Sequence, residues 1–187
     1  NQEFYPSITE QQGIKHIQTF ATKAGIIKTE DEILGMMLKG ISSNFESSFF
    51  EQRLVEGEVP IYNDTLTSNK VMISKSVADI LQLQLGEKLI MYFVEQPPRV
   101  RKFVITGVYE TGFTDFDDLI VMADIRHIQK LNGWESNQVG GFEILIDNFD
   151  KLDEITTKVY EQIPYNLNAK SIKEKNPQLF DWLGVQN

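Results

Sequence analysis

The residues whose types or spacing suit chemistry are few: two histidines, one group of carboxylates, one Ser-Lys pair and one Gly-Gly pair. A metal ion needs several convergent ligands. His16 has only Lys and Gln as polar neighbours in sequence, and His127 follows Asp124 on a helical pattern. They read as a strand side chain and an exposed helix side chain. Glu110, Asp115, Asp117 and Asp118 in "ETGFTDFDD" have carboxylates at alternate positions. They lack the glycine and closing glutamate of a calcium loop, so a solvated acidic turn is expected. Ser74 and Lys75 are adjacent on a strand and point to opposite faces, which prevents a nucleophile–base pair. Gly140-Gly141 precedes a strand rather than a helix, the wrong order for a phosphate cradle. No catalytic, cofactor-binding or metal-binding residue is assigned, and the chain is not expected to be an enzyme.

One surface stretch stands apart. "EQPPRVRK" places Pro97, Pro98, Arg99 and Arg101 at the expected tip of a hairpin. Proline stiffness lowers the ordering cost of binding, so these four residues are candidate partner contacts. The alternative is a plain turn whose basic residues blunt an edge strand. Both readings stand at this point.

The 187 residues are 41% hydrophobic, enough for one good core or two modest ones. The net charge is -9 with no basic face in view, which argues against nucleic acid as a partner. There is no cysteine, so disulfides and thiolate metal sites are excluded. No apolar run is long enough to span a membrane. The chain opens at Asn1 without a methionine or a signal sequence, and an excised piece of a longer protein is expected.

Ser7 and Glu10 have capping-box spacing for a short helix ended by Gly13. Residues 14–28 and "EDEILGMMLKGI" read as two strands of a hairpin, with Gly25 marking a bulge or a bend. Residues 42–60 read as a polar connection. "KVMISK" is a strand entering a helix capped by Ser74 or Ser76, and Gly86 turns the chain into the strand "GEKLIMYFV". "VRKFVITGVYE" returns from the proline tip. "LIVMA" leads to a helix capped by Asp124 and ended by Asn132-Gly133. "GGFEILID" is a strand, Asp150 caps a helix reaching Gln162, and "LNAKSI" is a returning strand. A hairpin, a β-rich insert and a βαβ unit follow one another. The fold class is α+β, with residues 45–138 a lobe inserted into another made of 1–44 and 139–187.

With these segments placed, "KVMISKSVADILQLQLGEKLIMYF" followed by "KFVITGVYETGFTDFDDLIVMADIRHIQKL" resembles one family. It is the extracytoplasmic, MacB-like periplasmic core domain of FtsX-like ABC transporter permeases, and most of all the permease subunits of lipoprotein-releasing systems. The resemblance covers nearly the whole chain. It implies a porter-like split β-α-β lobe formed by both chain ends and an inserted β-rich sabre-like lobe. It further implies a bacterial inner-membrane permease whose domain faces the periplasm. That permease would pair with a second permease subunit and a cytoplasmic ATPase subunit. It would move or release lipoprotein or another envelope substrate, with a periplasmic carrier or adaptor as a further partner. ATP hydrolysis would lie on the separate subunit. "SIKEKNPQLFDWLGVQN" would lead towards a membrane helix, with Ser171 and Glu174 as a capping box and Trp182 near the interface. Where the family's carrier-recruiting subunit has a long hairpin, this chain has the short "VEQPPRVRKF". An efflux-type permease domain docking an adaptor, and a free-standing periplasmic binding module, are the alternatives.

Overall fold

A computed structural model describes residue 8 and residues 11–175. Within these the fold is α+β, with one eight-stranded sheet and a few short helices. The expected start at Ser7 and Glu10 lies outside the described residues, as do Asn176, Pro177, Leu179, Phe180, Trp182 and Leu183.

By contacts the described residues form two compact units, one of residues 18–143 and one of residues 11–17 with 144–175. The boundaries expected from the sequence pattern, 44/45 and 138/139, differ from these. The difference comes from β2 (Ile33–Ile41), which hydrogen-bonds in parallel to β7 (Ile120–Asp124) and so joins the residues in between.

The larger unit is a closed barrel. β1 (Ile14–Lys28) pairs antiparallel with β2 and, at Ile26 and Ile27, with β5 (Lys88–Phe93). β5 pairs with β6 (Arg99–Tyr109), β6 with β4 (Lys70–Ser74), and β4 with β7. The ring β1-β2-β7-β4-β6-β5 thus returns to β1. β3 (Leu54–Gly57) pairs with β6, and β8 (Gly141–Ile146) with β1, outside the ring. β3 falls inside the stretch expected to be a polar connection. It is short and largely exposed, so alternation of burial leaves little pattern to read.

The barrel core is apolar and continuous. Leu38, Val71, Ile73, Leu89, Met91, Phe93, Phe103 and Val121 are all nearly or fully buried. Two helices cap it: α2 (Lys75–Leu81) with Val77 and Leu81, and α4 (Ile125–Asn132) with Ile125, Ile128 and Leu131. Behind β4 and β7 a second cluster holds Met72, Met122, Tyr109 and Phe50, the last from the short helix α1 (Ser48–Glu51). Gly25 is regularly paired with Met36 rather than bulged. A Cβ there would lie 2.7 Å from Met91 Cε and 3.0 Å from Tyr92 O, so glycine permits β1 to close on β5.

The ring has an internal twofold pattern. Each hairpin, β1-β2 or β5-β6, is followed in space by a parallel strand, β7 or β4, that feeds a capped helix. Ser74 accepts from Val77 N and Asp124 from Arg126 N, so Ser74 rather than Ser76 is the cap of α2. Each helix ends in a left-handed residue, Gln82 and Gly133.

In the smaller unit, α5 (Leu152–Gln162) buries Leu152, Ile155 and Val159. Its N-terminal turn is a 3-10 turn, Phe149–Lys151, capped by Asn148 rather than Asp150: Asp150 N donates to Asn148 Oδ1 at 2.9 Å. Ser171 and Glu174 form the expected capping box, Ser171 N to Glu174 Oε2 at 2.6 Å and Glu174 N to Ser171 Oγ at 3.2 Å. That box starts the short helix α6 (Ile172–Lys175). The returning strand expected at "LNAKSI" is therefore absent. Its last residues enter this helix, and Leu167 to Lys170 are irregular.

Candidate functional site

The tip of the β5–β6 hairpin is built from Val94 to Pro98, between the paired residues Phe93 and Arg99. Proline cannot donate to the ladder, so pairing stops where Pro97 and Pro98 begin. The Gln96–Pro97 peptide is cis. Both prolines are exposed, and Val94 is 86% exposed.

The cations beneath the tip face the protein. Arg99 Nη1 donates to Lys130 O at 3.2 Å and to Leu131 O at 3.4 Å, the carbonyls of the last turn of α4. Such carbonyls have no partner within their helix, and a cation there is favoured by the helix dipole. Arg99 Nε also lies 3.3 Å from Glu95 Oε2, while Glu95 Oε1 lies 2.7 Å from Lys23 Nζ. Lys23 completes the circuit by donating to Asn132 Oδ1 at 2.7 Å. The Lys23 hydrogen bond holds the Glu95 carboxyl below its usual range. Arg101 is half-buried, donates to Val100 O at 2.9 Å, and has its basicity lowered by burial.

Of the four candidate contacts, then, the structure presents Pro97 and Pro98 outward and turns Arg99 to the end of α4. Sequence reasoning missed Val94, Glu95 and Lys23. Glu95 and Arg99 are four apart across the turn, a visible signal, but Lys23 comes from β1 and no local pattern announces it. The result is a tip braced from beneath that exposes Val94, Gln96, Pro97 and Pro98.

The other singled-out groups are structural. His127 is 5% exposed rather than solvated. Its Nε2 bonds Ser68 O at 2.7 Å, which places the proton on that nitrogen, and its ring stands edge-on to Phe103 at 4.9 Å. Burial lowers its pKa. Asp117, expected in a solvated turn, is 7% exposed at the end of α3 (Thr114–Asp117). It accepts from Thr111 N, Gly112 N and Thr111 Oγ1. Both errors share a cause: a polar side chain that satisfies backbone groups from a distant or irregular loop is buried without any hydrophobic periodicity. Lys75 pairs with Asp79 at 2.7 Å, away from Ser74 Oγ, which bonds Asp117 O. Among the described residues no group of three or more His, Asp or Glu could hold a metal ion, and no helix is long and apolar enough to cross a membrane.

No family model matches the chain, and no curated protein matches it by sequence. Solved structures do. The extracellular domain of YknZ, an ABC-type transporter from Gram-positive bacteria, superposes with TM-score 0.61 at 16% identity, covering 90% of this chain and 84% of that one. The periplasmic region of MacB from Actinobacillus actinomycetemcomitans gives TM-score 0.58 at 16% identity, over 85% of this chain and 72% of that one. The fold is that of the extracytoplasmic, MacB-like domains of ABC-type transporters.

Proposed function

We propose that this chain is the periplasmic domain of a bacterial inner-membrane ABC transporter permease. It couples ATP hydrolysis on a cytoplasmic subunit to the movement or release of lipoprotein or another envelope substrate. The observation that carries this reading is the likeness to two transporter domains over 90% and 85% of the chain. In this reading the unit made from both chain ends is the porter-like lobe and the inserted unit the sabre-like lobe. Such a domain transmits displacement between packed bodies. A closed barrel with its tip tied to a helix end suits that task. The full permease pairs with a second permease subunit.

An efflux-type permease that docks a periplasmic adaptor is favoured by one observation, the shortness of the hairpin between Phe93 and Arg99. Its exposed prolines offer a small contact and no long hook.

Labelling of the full-length protein in cells tests the placement. The chain has no cysteine, so a single Ile61→Cys substitution, at a position 91% exposed, gives one reporter. A membrane-impermeant maleimide should label it in cells whose outer barrier is opened and whose inner membrane is intact. Labelling only after inner-membrane lysis overturns the reading.

A further inference from the structure

The outward face of the barrel at β2, β1, β5 and β6 has an unusual composition for a chain of net charge -9. Its outward positions are 22–28, 33–39, 88–94 and 100–106, counted in steps of two. They contain no Asp or Glu. Register arranges them in rows across the strands. Ile26 opposes Tyr92, and Tyr92 opposes Val100, which gives an apolar row. One pleat further on, Ile90 opposes Lys102, and Lys28 follows the Ile27–Met91 pair. That gives a second row of Lys28, Ile90 and Lys102. Tyr92 is 39% and Val100 40% exposed, and both lysines are exposed. Among the described residues, no ion pair involves Lys28 or Lys102. The nearest acids in sequence, Glu30, Asp31 and Glu32, sit in the turn beyond Lys28.

We propose that this face docks an acidic amphipathic helix of a partner protein. Charge selects the occupant. A symmetric contact with a second copy would set lysine against lysine. A helix with carboxylates on one side and leucines on the other matches both rows at once. The spacing agrees. Lys28 and Lys102 are two strands apart, about 10 Å, and carboxylates two helical turns apart are separated by roughly the same distance. The apolar row lies about 7 Å along the strands from the basic one, within the width of one helix. This surface is independent of the transport reading, and a domain with another role would carry it equally.

The probe is a designed helical peptide with leucines on one side and glutamates two turns apart. The control is the same peptide with lysines for the glutamates. Each is titrated into the 187-residue chain while backbone amide shifts are followed. The acidic peptide should shift residues around Ile26, Tyr92 and Lys102, and raised salt should weaken it. K28E/K102E should weaken it tenfold or more, with the melting temperature unchanged. Tyr92→Ala should weaken it without altering the salt dependence. Equal binding of the two peptides overturns the proposal, as does undiminished binding to K28E/K102E. So does binding of phosphatidylglycerol vesicles, or self-association through this face, without binding of the acidic peptide.

Discussion

Ser74 and Asp124 hold equivalent places in the barrel, and each is tied to the loop that precedes the other's strand. Asp124 Oδ2 accepts from Ser68 N at 2.9 Å, just before β4, whereas Ser74 Oγ donates to Asp117 O, just before β7. Each cap therefore organises its own helix and the entry of the opposite strand. Their strength differs. Asp124 is 1% exposed and also holds Arg126 at 2.9 Å, and Arg126 in turn donates to Asn63 O and Leu66 O. Asp124→Ala should cost about 3 kcal/mol, since it leaves a largely buried guanidinium unpaired. Ser74→Ala should cost about 1 kcal/mol, the usual loss of a cap. Urea unfolding monitored by tryptophan fluorescence separates them; equal losses would mean that the Arg126 network contributes nothing.

Two glycines of one strand should respond oppositely to alanine. A Cβ on Gly40 would lie 2.6 Å from the Cα of Ile125, where backbone cannot yield. A Cβ on Gly35 meets nothing within 4 Å. Gly40→Ala should destabilise by about 2 kcal/mol through overpacking. Gly35→Ala should be neutral, or stabilising by about 0.5 kcal/mol, through the reduced freedom of the unfolded chain. Thermal unfolding of both variants checks the contrast.

His127 should make stability fall on the acid side. Burial lowers its pKa in the fold, so the folded state favours the neutral ring and the unfolded chain takes up the proton first. The contribution is complete above the ordinary histidine value of about 6.5, and is lost as pH falls from there through the lowered folded value. The hydrogen bond to Ser68 O and, less, the Asp124 charge oppose this shift, while Arg101 and Lys130 add to it. Comparing wild type with His127→Gln at pH 7.5 and pH 5 subtracts the other groups. The wild-type advantage should shrink in acid, and growth would contradict the assignment.

The brace under the hairpin tip should be modest in energy and clear in dynamics. Arg99 is part-exposed, so solvent screens its pairs, and Arg99→Ala should cost at most about 1 kcal/mol. Hydrogen exchange of the amides at Val94, Glu95 and Gln96 should nevertheless speed up, while the core strands keep their protection. Unchanged exchange at the tip would show that the prolines alone hold it.

Much of this was legible from sequence, for identifiable reasons. Strand β1 is recovered at Ile14–Lys28, and the β5–β6 hairpin turns at Pro97-Pro98 as read, because alternation and turn chemistry are local. Asp124 and Gly133 bound α4 by their own backbone chemistry. The closure of β1 on β5 was not legible. It rests on the contact of Ile26 with Tyr92 across a long stretch of chain, and neither residue's neighbourhood encodes it. Burial of His127 and Asp117 was missed likewise, since Ser68 and Thr111 supply the bonds from irregular segments. At the tip, the prolines were visible from their type, whereas the inward role of Arg99 depends on where α4 ends.

The ring of strands also sets an order of assembly. During synthesis β1 and β2 emerge first and can pair at once, but the outer side of β2 awaits β7, and β1 awaits β5. The margin of β1 stays open until β5 has left the ribosome at Phe93, and that of β2 until residue 124 has followed. Distant pairings of this kind form slowly. The nascent chain is therefore most vulnerable to misassembly between the completion of the first hairpin and the arrival of β7, and chaperone dependence should be greatest in that interval.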